Sequence, residues 1–293
     1  HSLVFIPFGG LIVTFFLFLF LRTRLSFRYI YFFSTLGILT HGFLDACTSY
    51  GTSLFWPFSS TRVSWNVISI VDPFFLLILL FSVSIGFYKI SLRSLKIGFF
   101  LSLLYLSFSF FKHQQVKSYI KEIALIRGHK ADKILLNPTI GNNILWRTIY
   151  KSNNKFYVDV AYIPFLHVSK FKRGNKTNVI DVNQVFPEIE LNSLQRNDIK
   201  RFAFFSQDFI YLHPKYKNVL ADLRYGTLPH DLQSLWGIEI NPSKPDEHVK
   251  FKNLRNFKKG YEIIGGAHNI KEINLKKLQG CSEVLLSRLF KTT

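Results

Sequence analysis

The feature that most constrains this chain is the uncharged, apolar stretch from Leu3 to Leu21. It is close to the roughly 20 residues that a helix needs to cross about 30 Å of hydrocarbon. Three further apolar stretches follow, at Phe27–Leu44, Pro73–Ile90 and Ile97–Phe111, and tilt or local thinning would accommodate the short last one. Because a backbone in lipid must satisfy its own hydrogen bonds, we expect helices. The sequence therefore predicts a membrane protein with an α-helical transmembrane bundle of four spans.

The distribution of charged residues divides the chain into an apolar part and a charged part. Residues 1–111 hold seven Lys or Arg and two Asp, which leaves 30 of the 37 basic and 16 of the 18 acidic residues to the remaining 182. That second part has a net charge of +14 and is typical of a water-soluble, basic domain. We therefore predict a transmembrane domain over residues 1–111 and a soluble domain over residues 112–293.

The cations between the apolar stretches predict an orientation. The first and third linkers carry three each: Arg22, Arg24 and Arg28, then Lys89, Arg93 and Lys96. Residues 46–72 carry only Arg62, so the positive-inside rule places both basic linkers in the cytoplasm. A cluster of cations after Phe111 opposes this orientation, although long domains can translocate regardless of charge. With four crossings, His1, the central loop and the C-terminal domain share one face, which the rule makes the periplasmic one.

The soluble part shows both helical and strand patterns. Helical spacing continues to about Arg127, and a second candidate helix covers Pro187–Phe205. Ile144–Tyr150 and Phe156–Ile163 flank the polar residues 152–154, which is the pattern of a β-hairpin. Further strands are predicted at 219–225 and 235–240, with helices again from about residue 270. We predict an α+β domain.

Four ionisable side chains stand out in the apolar part. His1, His41, Asp45 and Asp72 are the only His and carboxylate residues before residue 112. His41 and Asp45 are four residues apart, so a helix places them on one side, about 6 Å apart along its axis. This spacing allows an imidazole and a carboxylate to bind one divalent ion. It also occurs by chance at helix ends, where both residues are simply solvated, and the spacing alone leaves both readings open.

Two further residues have alternative roles. Asp72 precedes Pro73 and an apolar run, which favours a helix N-cap, although a carboxylate there could also orient a catalytic water. Arg62 could hold an anionic substrate group or a lipid phosphate. The basic C-terminal domain shows no nucleic-acid recognition module, so we expect its partner to be membrane lipid.

Several motifs together resemble a known family. They are His1-Ser2-Leu3, the segment THGFLDACTSYGTSLFWPFS over Thr40–Ser59, VSWNVISIVDP over Val63–Pro73, NPTIGNNILWR over Asn137–Arg147, and DLRYG over Asp222–Gly226. In these motifs the chain resembles the YdjM-like family of predicted membrane-bound, metal-dependent hydrolases of bacterial inner membranes. The resemblance runs to about residue 240, and its Thr40–Pro73 block is long enough to be specific.

The resemblance implies a site and a reaction. His41, Asp45 and His1 would be ligands of a divalent metal, with zinc favoured and manganese or iron suited to the same ligands. The resemblance makes Asp72 a candidate residue for supporting a ligand or contacting the substrate. In the hydrolase hypothesis Asp72 would orient the water and Arg62 would hold an anionic group, with an envelope or lipid-like substrate inferred from the location of the site alone. Family members also have a helix and a P-D-x-D segment before the His motif, so we expect the natural chain to begin upstream of His1 and to supply further ligands there.

Two functions from different classes follow. The first is a membrane-bound, metal-dependent hydrolase that cleaves an ester or phosphoester. The second is a non-catalytic membrane anchor or regulatory protein, whose basic domain binds a protein partner and whose His and Asp residues stabilise the helix bundle. A transporter fits less well, since its ionisable groups should lie near the bilayer midplane and these lie at helix ends.

Overall fold

The computed structural model describes residues 1–139, 141, 143–165 and 168–255. The chain divides into two compact units. The first comprises residues 1–115 with 137–143, and the second comprises residues 116–136 with the chain from residue 144 onward. The helix predictions beyond residue 270 lie outside the described residues.

The first unit is built on four helices. A short 3-10 turn at Leu3–Phe5 leads into α1 (Ile6–Leu21), which is followed by α2 (Phe27–Cys47), α3 (Pro73–Tyr88) and α4 (Leu92–Ile126). Within the described residues, three helices are long and apolar enough to cross a membrane: Leu3–Leu21, α2 and α4. All four predicted apolar helices are present.

The lengths of the last two helices differ from the prediction. The predicted short span Ile97–Phe111 is the middle of a 35-residue helix, whereas α3 has only 16 residues. At 1.5 Å per residue α3 is about 24 Å long, shorter than about 30 Å of hydrocarbon. The predicted span ended at Phe111 because charge begins at Lys112, and the helical spacing predicted from there to about Arg127 is confirmed as the continuation of α4 to Ile126.

Small residues bring these helices together in pairs. A Cβ at Gly10 would overlap the side chain of Thr35, so the glycine allows α1 to approach α2 closely. A Cβ at Gly98 would likewise overlap Ser82, where α4 meets α3. Thr14 is fully buried and donates to the Gly10 carbonyl at 2.6 Å. Close approach at small residues is the usual packing mode of helices in lipid, where apolar burial supplies no driving force.

The second unit contains two four-stranded sheets. The first has the order β1-β2-β3-β4. Its strands are Lys133–Pro138, Leu145–Ser152, Lys155–Tyr162 and Lys170–Asn178. The second sheet has the order β5-β6-β7-β8. Its strands are Ile210–Leu212, Val219–Asp222, Trp236–Glu239 and Lys250–Asn253. With helix α5 (Leu194–Phe205) between the sheets in sequence, the predicted α+β class is confirmed.

Local predictions in this unit have mixed outcomes. The hairpin is confirmed: β2 pairs antiparallel with β3, and Asn153 and Asn154 take the two positive φ angles of a type I′ turn. The strands predicted at 219–225 and 235–240 are β6 and β7. Helix α5 begins seven residues later than predicted, at Leu194, because Ser193 caps it by accepting from the Arg196 backbone amide.

Alternation along β2 explains the layers of this unit. Trp146 and Tyr150 pack with the C-terminal turns of α4 from Val116 onward, while Ile149 between them faces the cluster that contains Tyr211 and Leu223. Successive side chains of a strand point to opposite faces, so one strand serves two cores. Helix α5 covers the second sheet through a third cluster.

Candidate metal centre

Three of the predicted site residues lie together in the structure. The His1 Nε2 atom is 3.5 Å from Asp45 Oδ2, and the His41 Nε2 atom is 3.8 Å from the same oxygen. The two imidazole rings meet edge to face, with centroids 4.7 Å apart. One ligand atom from each residue lies within 4.8 Å of the other two. We call His1, His41 and Asp45 the His–Asp cluster.

Helix α2 supplies two members of the His–Asp cluster. His41 and Asp45 are separated by one helical turn near the end of α2, at Cys47. Their side chains are 64% and 37% exposed, so water or a substrate group can reach them. Both are presented on one face because residues four apart on a helix are neighbours.

The third member is held by contacts at the start of the chain. The Leu3 amide donates to the Leu54 carbonyl at 2.9 Å, and the Ser2 hydroxyl donates to the Trp56 carbonyl. Gly42 lies beneath His1, since a Cβ at this glycine would be 3.3 Å from the His1 carbonyl oxygen. His1 thus packs directly against α2 at Gly42.

The loop that receives the N-terminal residues is itself fixed to α2. The Trp65 and Val67 amides donate to the Ala46 and Cys47 carbonyls at 2.7 and 2.9 Å. Thr52 and Val63 pair through two backbone hydrogen bonds of 2.9 and 2.8 Å. The loop can therefore hold His1 in a constant position relative to α2.

Gly51 and Thr48 explain how the loop leaves the helix. Gly51 has φ of +66°, and a Cβ there would lie 2.8 Å from the Val63 carbonyl oxygen. Only glycine fits such a position without strain. Thr48 ends α2, and its hydroxyl donates to the Asp45 carbonyl at 2.9 Å. The segment around the motif Thr40–Ser59 is thus specified by its turn residues as well as by the candidate ligands.

Arg62 contacts the loop that follows α2. Its Nη2 atom donates to the carbonyls of Tyr50 and Gly51 at 2.9 and 3.0 Å. These bonds stabilise the turn at Gly51. Its predicted role in holding an anionic group stays a prediction.

Asp72 begins α3 and is almost buried, with 7% of its surface exposed. One carboxylate oxygen accepts from the Phe75 amide at 3.0 Å, as an N-cap does. The Tyr105 hydroxyl of α4 contacts both carboxylate oxygens, at 3.0 and 2.8 Å. Tyr105 in turn accepts from Asn143. These contacts give the Asp72 carboxylate a structural role at the start of α3. Its predicted catalytic role stays a prediction.

Sequence reasoning missed Tyr105 and Asn143. Tyr105 is the one hydroxyl that reaches Asp72 among the described contacts, and nothing in the spacing of α4 distinguishes it from other aromatic residues. The sequence did offer an indication of Asn143, because this residue lies within the NPTIGNN segment of a motif shared with the family. Its amide nitrogen donates to Ser109 at 2.7 Å as well as to Tyr105 at 3.3 Å.

The donor set of the His–Asp cluster fits a divalent cation. Zinc lies about 2.0–2.2 Å from His nitrogen and carboxylate oxygen, so ligand atoms around it are roughly 3.3 Å apart at tetrahedral angles. The distances of 3.5 and 3.8 Å to Asp45 are close to that value, and all three ligand atoms lie within 4.8 Å of one another. Two imidazoles and one carboxylate on one side also leave positions open for water and for further ligands.

The His–Asp cluster lies in the part of the chain that matches a known protein family. Residues 1–116 match the model of the YdjM inner membrane protein family. The predicted resemblance to the YdjM family is therefore confirmed for residues 1–116, the part of the chain that contains the His–Asp cluster. Together with the apolar helices, the YdjM match supports a location in the inner membrane.

A more extensive but weaker likeness is to an uncharacterised protein of Bacillus subtilis (strain 168), YfhP. The two are 23% identical over 244 residues, which cover 78% of this chain and 68% of YfhP. No solved structure matches the chain. Neither the YdjM match nor the likeness to YfhP names a reaction.

Two motifs lie outside the YdjM match, Asn137–Arg147 and Asp222–Gly226, and the end of the first meets the second in the core of the second unit. Arg147, from the first, donates to the Leu223 carbonyl of the second at 2.9 Å. Asp222 and Arg224 form a fully buried, two-pronged ion pair at 3.0 and 2.8 Å. Buried charges persist only when paired and hydrogen-bonded, which explains these residues as structural.

Proposed function

We propose that this protein is a metal-dependent hydrolase of the bacterial inner membrane, acting on an ester or phosphoester of an envelope or lipid-like substrate. The observation that carries the proposal is the convergence of His1, His41 and Asp45, which three separate hydrogen-bonding arrangements hold in place. A divalent ion there, zinc first and manganese or iron as alternatives, would lower the pKa of a bound water and polarise the scissile bond.

The residues of the chain have distinct tasks in this proposal. His41 and Asp45 would bind the ion from one helical turn, and His1 would supply the third ligand atom from the start of the chain. Asp45 supplies the negative charge that two neutral imidazoles lack. All three side chains of the His–Asp cluster are partly exposed, so a substrate could reach the ion that they would hold.

Hydrolysis by the purified, full-length protein in lipid nanodiscs tests the proposal. The substrates are a nitrophenyl phosphodiester, a nitrophenyl ester and a phospholipid. We expect turnover of at least one, loss of that turnover with a chelator and its return with added zinc or manganese. Asp45→Ala should lose the activity, and Thr40→Ala, an exposed neighbour on α2, should keep it. Equal turnover in wild-type protein and Asp45→Ala contradicts the proposal.

A structural role for the same residues makes a different prediction. If the His–Asp cluster only stabilises the helices, as in an anchor or regulatory protein, Asp45→Ala should lower thermal stability equally with and without metal. The Asp45 contacts are partly exposed, and exposed ion pairs contribute about 0–1 kcal/mol. The hydrolase proposal instead predicts that most of the stability change depends on metal.

The proposal includes a topology. We propose that α3 also crosses the membrane, with local thinning around its 16 residues, so that the His–Asp cluster and the C-terminal domain face the periplasm. Reporter fusions at Ser60, at Ser26 and at residue 293 test it. Ser60 and residue 293 should report the periplasm and Ser26 the cytoplasm. Opposite faces for Ser60 and residue 293 would contradict four crossings.

A further inference from the structure

A groove runs between α1 and α2 and has a volume of about 510 Å³. Val13, Leu17 and Leu21 line it from α1, and Tyr29, Phe33 and Gly37 line it from α2. Almost all of its wall is hydrocarbon or aromatic surface. Both helices are among those long and apolar enough to cross a membrane, so the groove opens toward lipid.

One end of the groove is His41. This residue belongs to the His–Asp cluster, so the groove and the candidate metal centre are continuous. From His41 to Tyr29 the groove follows twelve residues of α2, or about 18 Å. That length exceeds half of the roughly 30 Å hydrocarbon thickness, so a chain lying in it would pass the middle of the bilayer.

Gly37 keeps the groove open next to the His–Asp cluster. It lies one helical turn before His41, and a Cβ there would have no atom within 4 Å. The opposite is true of Gly10 and Gly42, where a Cβ would meet other parts of the chain. Close packing of the helices therefore does not require a glycine at position 37. The absence of a side chain there leaves space in the groove instead.

We propose that this groove binds one hydrocarbon chain of a membrane lipid, with the lipid's polar head at the His–Asp cluster. The inference rests on the proposed function and specifies its substrate class as a long-chain lipid. Hydrocarbon is the medium around the groove, and an apolar wall favours it over water. The arrangement would place the first ester or phosphoester of the lipid beside His1, His41 and Asp45.

The opposite end of the groove provides a rival orientation. Leu21 and Leu25 line that end, and Arg22, Arg24 and Arg28 lie beside it in sequence. These cations would attract an anionic head group, which would reverse the lipid. The experiment must therefore report which end holds the head.

Two photoreactive phospholipids distinguish the orientations. One carries a diazirine near the terminal methyl of a long acyl chain, and the other carries it beside the ester. The full-length protein is reconstituted in nanodiscs of phosphatidylethanolamine and phosphatidylglycerol with a trace of each probe, illuminated and mapped by peptide mass spectrometry. We expect the chain-end probe to label the region of Tyr29 and the ester-side probe the region of His41.

Substitutions at Gly37 test the groove itself. Gly37→Phe should fill it, and losing the contacts of about two methylene groups should lower labelling at Tyr29 by the chain-end probe about tenfold. Gly37→Ala should leave labelling within about twofold, because an alanine adds little volume. Leu39→Phe is the matched control, since Leu39 is exposed on the same helix and does not line the groove.

The outcomes are separable from those of the hydrolase proposal. Metal content of Gly37→Phe should equal that of the wild type, because the His–Asp cluster is untouched. Reversed labelling of the two ends, or equal labelling in wild type and Gly37→Phe, overturns the lipid-chain proposal while leaving the metal centre in place. Groove labelling that depends on Gly37 in a protein without metal supports the chain site and contradicts the hydrolase.

Discussion

Gly42 offers a test of how the structure holds His1 without changing any candidate ligand. A Cβ at Gly42 would lie 3.3 Å from the His1 carbonyl oxygen, 3.7 Å from its Cβ and 3.8 Å from its Cα. Alanine fits with a shift of a few tenths of an ångström. A leucine adds three further carbons beyond this Cβ, so we expect it to displace His1 further than an alanine does.

The expected magnitude follows from the tolerance of metal bonds. Metal–ligand distances in proteins lie within about 0.2 Å of their ideal values. A displacement of His1 well beyond this tolerance would remove it from the coordination sphere. Loss of supporting contacts around a metal site typically lowers affinity 10–100-fold. We expect Gly42→Leu to weaken zinc binding by that factor and Gly42→Ala to weaken it by less than about threefold.

Competition titration with a chromophoric zinc chelator measures this affinity on the full-length protein. Circular dichroism of the same samples checks that the helices are retained. Gly37→Leu is the matched control, because it adds the same side chain to α2 where a Cβ meets no atom. Wild-type affinity in a folded Gly42→Leu protein would refute the claim that His1, as positioned here, is a ligand.

Three further outcomes are expected. Asp72→Ala should lower the free energy of unfolding by about 2–4 kcal/mol, since it removes an N-cap and leaves the Tyr105 hydroxyl without its carboxylate, and metal content should not change. Asp159→Ala should cost about 3–5 kcal/mol in chemical denaturation, because Arg127, 2.7 Å from Asp159 and 9% exposed, would be left buried without its counter-charge. Zinc at 100 times its dissociation constant should stabilise the wild type by about 2.7 kcal/mol against heat and should not stabilise Asp45→Ala.

Much of the fold follows from the sequence because its signals are local. The apolar stretches locate four helices, and the Asn153-Asn154 turn between two alternating stretches specifies the hairpin of β2 and β3. Helix ends were harder. The start of α5 at Leu194 depends on capping by Ser193, which hydropathy does not report, whereas the end of α4 at Ile126 agrees with the helical spacing predicted to about Arg127.

The His–Asp cluster could be anticipated in part. The spacing of His41 and Asp45 fixes their proximity on any helix, but the approach of His1 depends on contacts with Leu54 and Trp56, more than fifty residues away. No local pattern encodes such contacts. The four predicted crossings placed His1 on the same face as the central loop, and the resemblance to a family predicted it as a ligand. The groove beside Gly37 was not foreseen at all, since an open surface leaves no periodic signal.

Metal content of the purified, full-length protein tests the central claim most directly. Elemental analysis by mass spectrometry should find one divalent ion per wild-type chain after gel filtration, and the same in Thr40→Ala. His41→Ala and Asp45→Ala should each lose most of it while keeping wild-type helix content. Unchanged metal in both variants would contradict a metal centre at His1, His41 and Asp45.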